Sequence, residues 1–172
     1  MTIALPFSET IRLNEIGSGL SRRLEPDGAV RVRIARSLDL ASLDVFEAEM
    51  SVMPVREGWR LSGRIVARAV QTCGLTLEPL PVEIDRTFSV DLVEAAEPVD
   101  DEVEVTLDDD APDVVEDGRI DLGQYAVEQL ALTLDPFPRK PGAEFVQPEQ
   151  PVEVSPFAVL KAFRPPGEPD KG

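Results

Sequence analysis

Between residues 45 and 92 apolar and polar positions alternate with a period of two, the mark of strands buried on one face. Val45 to Val55 and Trp59 to Thr72 form two long runs on either side of Glu57-Gly58. A two-residue turn at Glu57-Gly58 predicts a hairpin that sets Phe46, Ala48, Met50 and Val52 opposite Ala69, Ala67, Ile65 and Gly63. The other face then carries Glu47 opposite Arg68 and Ser51 opposite Arg64. Because a one-residue slip moves every apolar side chain to the wet face, the facing pattern is well specified. Leu80 to Leu92 continues it: Val82, Ile84, Phe88, Val90 and Leu92 share one face, interrupted by Arg86, after a connection over Gly74 to Pro79. Three such strands make an antiparallel meander with one covered face and one wet face.

The flanking segments carry other periods. Pro6 to Leu13 alternates and reads as a short strand, and Gly17-Ser18-Gly19 is a loop signal. Asp27 is placed to cap a segment from Gly28 to Leu38. That segment is ambiguous: Val30, Val32 and Ile34 alternate, whereas Val30, Ile34, Ala35 and Leu38 recur at helical spacing, and the helix is favoured. Asp121 caps a second helix, in which Leu122, Tyr125, Ala126, Leu130 and Leu134 return at helical intervals. Asp135-Pro136 ends it, since proline disfavours helical geometry in the residue before it. Residues 135–172 hold nine prolines and read as an extended tail. Within it Ser155-Pro156 can start a short helix near 156–163, with Phe157, Leu160 and Phe163 on one stripe. These elements make an α+β fold. It is an antiparallel β-sheet meander with two main helices packed on one face, an acidic loop and a Pro-rich C-terminal tail. The single domain spans 1–146 and the tail 147–172.

Charge changes this picture at one place. The net charge is −16, yet residues 1–92 contribute −2 and residues 119–172 another −2. The remaining −12 lies between Val93 and Gly118, which hold twelve acidic residues and no basic one. Repulsion among these carboxylates disfavours compact order, so a mobile loop is expected over 93–118, with at most a brief strand at Val103 and Val105. Asp108, Asp109 and Asp110 are adjacent and lack the alternating oxygens, central glycine and terminal glutamate of a calcium loop. The block is a candidate for holding a basic partner, through Asp100, Asp101, Glu102, Glu104, Asp108, Asp109 and Asp110. Arg60, Arg64 and Arg68 share a strand face. They read either as a strip for phosphate or carboxylate or as a solvated face of cross-strand ion pairs.

Absences bound the chemistry. The chain has no histidine and one cysteine, Cys73. That excludes an internal disulfide and a zinc site of mixed thiolate and imidazole, and it removes the usual carrier of acid–base catalysis near pH 7. Cys73 has no histidine to activate it and reads as a buried or tolerated thiol. No catalytic residue, cofactor or metal is expected. An enzyme working with carboxylates alone remains as an outlying alternative, recognised by a deep pocket with two facing carboxylates. With no long apolar run and no signal peptide, no membrane association is expected and the cytoplasm is the expected compartment.

Gln71-Thr72-Cys73-Gly74-Leu75-Thr76-Leu77-Glu78-Pro79 resembles a bacterial family, the large ribosomal RNA subunit accumulation (YceD) family. The resemblance includes a long strand ending in cysteine (Gly63 to Cys73), a Leu77-Glu78-Pro79 turn and a strand from Val82 to Phe88. It continues through the helix start at Asp121-Leu122, the stop at Pro136, Pro138 and Pro141, and Ser155-Pro156-Phe157-Ala158-Val159-Leu160. It covers roughly residues 6–163. Many relatives carry a Cys-x-x-Cys pair and further cysteines after the helix, which implies a zinc site. Here Thr76 takes the second position and no cysteine follows Pro136. The resemblance implies a role in the biogenesis of the large ribosomal subunit, supporting ribosomal RNA accumulation. An acidic protein gains no counterion release on an RNA backbone, so direct nucleic-acid binding is disfavoured. The expected partner is a basic ribosomal protein, an assembly factor or a large-subunit assembly intermediate. The alternative is an acidic adaptor or chaperone for one basic protein, with no wider ribosomal role.

Overall fold

The structure is a computed structural model that describes residues 5–95 and 111–144. Its centre is a sheet of five strands in the order β2-β3-β4-β5-β6, comprising β2 (Leu20–Leu24), β3 (Ser42–Val55), β4 (Gly58–Thr72), β5 (Pro79–Glu94) and β6 (Asp113–Val115). β2 to β5 are antiparallel neighbours, and β6 joins β5 in parallel over Leu92, Val93 and Glu94. A second sheet pairs β1 (Thr10–Arg12) with β7 (Arg119–Asp121). Three helices complete the fold: α1 (Leu13–Ile16), α2 (Gly28–Ser37) and α3 (Leu122–Thr133). The α+β expectation holds.

The period-two pattern decides which face is buried. Phe46, Ala48, Met50 and Val52 of β3 meet Ala67, Ile65, Gly63 and Leu61 of β4. These in turn meet Ile84, Arg86, Phe88 and Val90 of β5. All of the β3 residues and Leu61, Ile65, Ala67 and Ile84 are buried in one cluster, which α2 enters through Ile34 and Ala35 and α3 through Leu122, Ala126, Val127 and Leu130. Arg86 avoids a desolvation cost because it stays exposed on this face.

The hairpin register differs from the expected one by two residues. Val55 pairs with Gly58, so Arg56-Glu57 is the turn and Gly58 opens the strand. The reason is tertiary. A Cβ on Gly58 would lie 2.0 Å from the Leu92 carbonyl oxygen, and its φ is +121°, so the glycine answers the close approach of β5 rather than the turn. A shift of two keeps every side chain on its face but changes its partner: Glu47 now faces Val66, and Arg68 faces Val45. The expected Glu47–Arg68 pairing is therefore absent.

Helix α2 resolves the ambiguous segment. Asp27 Oδ1 accepts the Val30 N–H at 2.8 Å, Ile34 is fully buried and Val32 is 55% exposed, as helical spacing requires and alternation does not. The expected strand over Pro6 to Leu13 is shorter, Thr10–Arg12, because the chain turns into α1 at Leu13, where the Glu15 carboxylate accepts the Arg12 N–H. β2, the parallel β6 and the β1–β7 sheet extend the expected meander. The outer parts of the expected mobile loop are ordered instead: Glu94 belongs to β5 and Asp113–Val115 form β6, because Val115 supplies a buried side chain and its carbonyl accepts the Ala95 N–H. The brief strand at Val103 and Val105, the short helix near 156–163 and the tail beyond 144 lie outside the described residues.

Asp121 ties the N-terminal segment to the start of α3. Its Oδ1 accepts the Gln124 N–H at 3.0 Å, capping α3, and the Glu9 N–H at 2.9 Å, while Oδ2 accepts the Ser8 hydroxyl. Residues 8 and 9 thereby lie against the helix start so closely that a Cβ on Gly123 would stand 2.8 Å from the Glu9 nitrogen. Asp121→Ala is expected to lower unfolding stability by about 1–3 kcal/mol, since it removes a cap and strands two N–H donors. Gly123→Ala is expected to cost about 1–3 kcal/mol through backbone displacement. Urea midpoints at constant m-value measure both.

Candidate partner-binding face

The face of the sheet turned away from α2 and α3 carries the residues with recognisable binding chemistry. Ser21, Ser51, Ser62 and Ser89 are direct cross-strand neighbours from β2 to β5 and form a row of small hydroxyls across it. The adjacent row is Arg23, Glu49, Arg64 and Thr87. Arg60, Arg64 and Arg68 lie along β4 as the alternation predicts, and the structure brings all three onto this one face.

Their partners decide what they can do. Arg60 makes a two-point contact with Asp91, Nε to Oδ1 at 2.7 Å and Nη2 to Oδ2 at 3.0 Å. Arg64 holds Asp85 in the same forked way, with Nε to Oδ1 at 2.7 Å. Arg23 reaches Glu25, Glu47 at 3.0 Å and Glu49 at 3.7 Å. Hydrogen bonding to the guanidinium pulls the Asp85 and Asp91 carboxyls below their ordinary range, and the reciprocal bonds push the Arg60 and Arg64 guanidiniums up. Arg68 faces Glu83 of β5. At Arg60 and Arg64 the strip is thus a ladder of ion pairs rather than a row of unengaged cations.

The acidic candidates Asp100, Asp101, Glu102, Glu104, Asp108, Asp109 and Asp110 lie outside the described residues. What the structure places is the base from which they spring. Ala95 N–H donates to the Val115 carbonyl at 3.1 Å, and β6 lies beside the last residues of β5, so the acidic segment leaves and returns at one sheet edge. Arg60 and Asp91 sit one residue pair from Leu92, where that edge begins. Glu94, Asp113, Glu116 and Asp117 extend the negative charge around it. Tyr125 of α3 donates its hydroxyl to Asp113 at 3.0 Å, and desolvation, reinforced by that bond, pushes its phenol up.

Cys73 holds a structural role that sequence reasoning missed. It is fully buried at the end of β4. Its Sγ accepts N–H donors from Thr76 at 3.5 Å and from Lys140 at 3.3 Å. Gly74 N–H donates to the Pro138 carbonyl at 2.9 Å, and Lys140 Nζ bonds Glu78 at 2.8 Å. These contacts clasp the chain after α3 onto the β4–β5 turn. The hydrogen bonds from Thr76 and Lys140 bring the thiol down to about 6, against the opposing effect of burial. The signal available beforehand was the Cys-x-x-Thr turn together with the Pro-rich stop, but their meeting is a long-range contact. A zinc ion does not fit here: the donor set offers one thiolate, Thr76 stands at the second ligand position, and Lys140 brings N–H and ammonium donors where a metal needs lone pairs. Among the described residues no group of three His, Cys, Asp or Glu is gathered to hold a metal.

Two pH effects follow. The lowered folded pKa values of Asp85 and Asp91 mean that their stabilising contribution is present above the free value, about 4, and is lost as pH falls below it. Arg60→Gln with Arg64→Gln is expected to flatten that acid limb in thermal melts. For Cys73 the folded value of about 6 lies below the free value of about 8.5. Its contribution is complete above the free value and disappears as pH falls through about 6. With no histidine in the chain, that window is otherwise nearly silent, so the urea midpoint is expected to rise between these limits and Cys73→Ala to remove the rise.

No curated protein and no solved structure matches the chain. No helix of the described residues is long and apolar enough to cross a membrane. The profile of one family, described as large ribosomal RNA subunit accumulation protein YceD, matches residues 61–164. The match runs from Leu61 in β4 through the Cys73 turn, β5, the acidic segment and α3, so it takes in the clasp and the β4–β5 part of the polar face from Leu61 on, while Arg60, β2 and β3 lie outside it. The chain belongs to the YceD family of large ribosomal RNA subunit accumulation proteins.

Proposed function

We propose that this protein supports accumulation of large-subunit ribosomal RNA indirectly, without catalysing a reaction, by binding a basic ribosomal protein or assembly factor. The family name supports the ribosomal setting. The observation that carries the mode of action is the state of the arginine strip. Arg60 and Arg64 are already forked onto Asp91 and Asp85, so an RNA phosphate would have to displace a carboxylate at each. Counterion release, which dominates affinity for a nucleic-acid backbone, depends on cations that meet phosphates. A chain of net charge −16 with twelve acids in one segment repels that backbone at range. The same field draws in a cationic protein and speeds its encounter at low salt.

The binding surface in this reading is the edge formed by β6 and the end of β5, with the acidic segment rooted there and the Ser and Arg–Asp rows beside it. Pull-down of the full chain against ribosomal proteins and against large-subunit RNA, before and after replacing the acids of 94–117 by their amides, tests it. The expected result is capture of one or more basic proteins, lost on amide replacement and weakened by salt. Tight binding of naked RNA at physiological salt that survives the replacement, with no protein captured, overturns the proposal. Co-sedimentation with precursor large subunits is expected; capture of a single basic protein away from such particles assigns the protein the narrower adaptor role.

A further inference from the structure

The opposite end of the molecule carries a feature that an acidic, partner-seeking edge does not explain. A cleft of about 470 Å³ opens between the end of α2, the end of β4 and the chain after α3, walled by Leu38, Leu75, Ala131, Leu134 and Phe137. The three most exposed large apolar side chains of the described residues are Phe137 at 78%, Leu77 at 77% and Leu132 at 72%. Phe137 is part of the wall, Leu77 belongs to the turn that supplies Leu75, and Leu132 follows Ala131 on α3. Apolar surface gathered in this way marks a binding site.

The wall is built firmly. Gln71 Nε2 donates to the Asp135 carbonyl at 2.8 Å, Gly74 N–H to Pro138, and Lys140 N–H to Cys73. Asp39, Asp135 and Arg139 also line the cleft. Residues 157–163 of the same chain bring Phe157, Leu160 and Phe163 at intervals of three, with Lys161 and Arg164 alongside.

We infer that the segment Ser155–Phe163 of this chain is the occupant of the cleft, inserting Phe157, Leu160 and Phe163 between α3 and the Cys73 turn and setting Lys161 and Arg164 towards Asp39 and Asp135. The linker of twelve residues between Glu144 and Phe157 reaches up to about 40 Å when extended and about 20 Å as a flexible coil, enough to return to a site whose wall ends at residue 139. Tethering at that length supplies a millimolar effective concentration, so a weak amphipathic segment fills the groove without an outside partner. Helix-in-groove contact by residues spaced in this way is an established mode of recognition. The inference does not depend on the identity of the ribosomal partner.

Limited trypsin digestion of the full chain at cleavage after Lys161 tests it, with Phe137→Asp as the variant because that side chain is outward and its change spares the core. Cleavage is expected to accelerate about tenfold or more in the variant, the effect of losing one aromatic contact. Hydrogen exchange of residues 71–75 and 131–138 in the full chain is expected to accelerate when Phe157, Leu160 and Phe163 are all changed to Asp, with far-UV circular dichroism unchanged. Equal cleavage rates and equal exchange in the compared pairs overturn the inference. Protection that vanishes on dilution also overturns it, by assigning the groove to a second copy.

Discussion

The structure depends on covering one apolar face. β3, β4 and β5 are long, and their alternation gathers the large aliphatic side chains on a single side of the sheet. Neither hairpin can bury that side alone. Helices α2 and α3 cover it, and every other arrangement in the molecule follows from where they must lie. α2 packs on β3 and α3 on β4, and their Ile34 and Leu130 are both fully buried. The hydrophobic free energy of that contact, about 25 cal/mol for each Å² removed from water, is what sets the facing of each strand.

Two polar devices then fix the ends of α3 in space. At its start Asp121 caps the helix and also holds residues 8 and 9, so the N-terminal segment is strapped across the helix rather than left to fray. Past its end, Cys73 and Glu78 receive Lys140, clasping the following chain to the β4–β5 turn. Helix α3 is thus held by its apolar stripe, by a carboxylate at one end and by a thiol beyond the other. The thiol does this by accepting hydrogen bonds from the backbone N–H groups of Thr76 and Lys140.

The uncovered face of the sheet has a different character. Arg60 and Arg64 pair with Asp91 and Asp85 across the strands, which neutralises two of the three arginines in the strip that looked most suited to phosphate. The net negative field then comes chiefly from the segment rooted at the β5–β6 edge. The apolar-walled cleft and the edge at which the acidic segment is rooted thus lie at opposite ends of the sheet.

Periodicity by itself determined the three long strands, the identity of their buried face, both capped main helices and the stop at Pro136, because each of these is local: a period of two or of 3.6 and a capping carboxylate a few residues away. It also placed Arg60, Arg64 and Arg68 on one face, since residues an even number apart in a strand cannot do otherwise. Tertiary structure decided the rest. The hairpin register was set by the Leu92 carbonyl pressing on Gly58, a contact made by a third strand. The partners of the arginines came from β5, so the expected Glu47–Arg68 pair gave way to Arg60–Asp91 and Arg64–Asp85. The short strands β2, β6 and β7 carry too few residues to show a period and exist because a neighbouring edge offers them hydrogen bonds. The meeting of Cys73 with Lys140 spans 67 positions of sequence, and such a contact is written in no local pattern; it arises when the covered sheet and α3 bring those two segments to the same place.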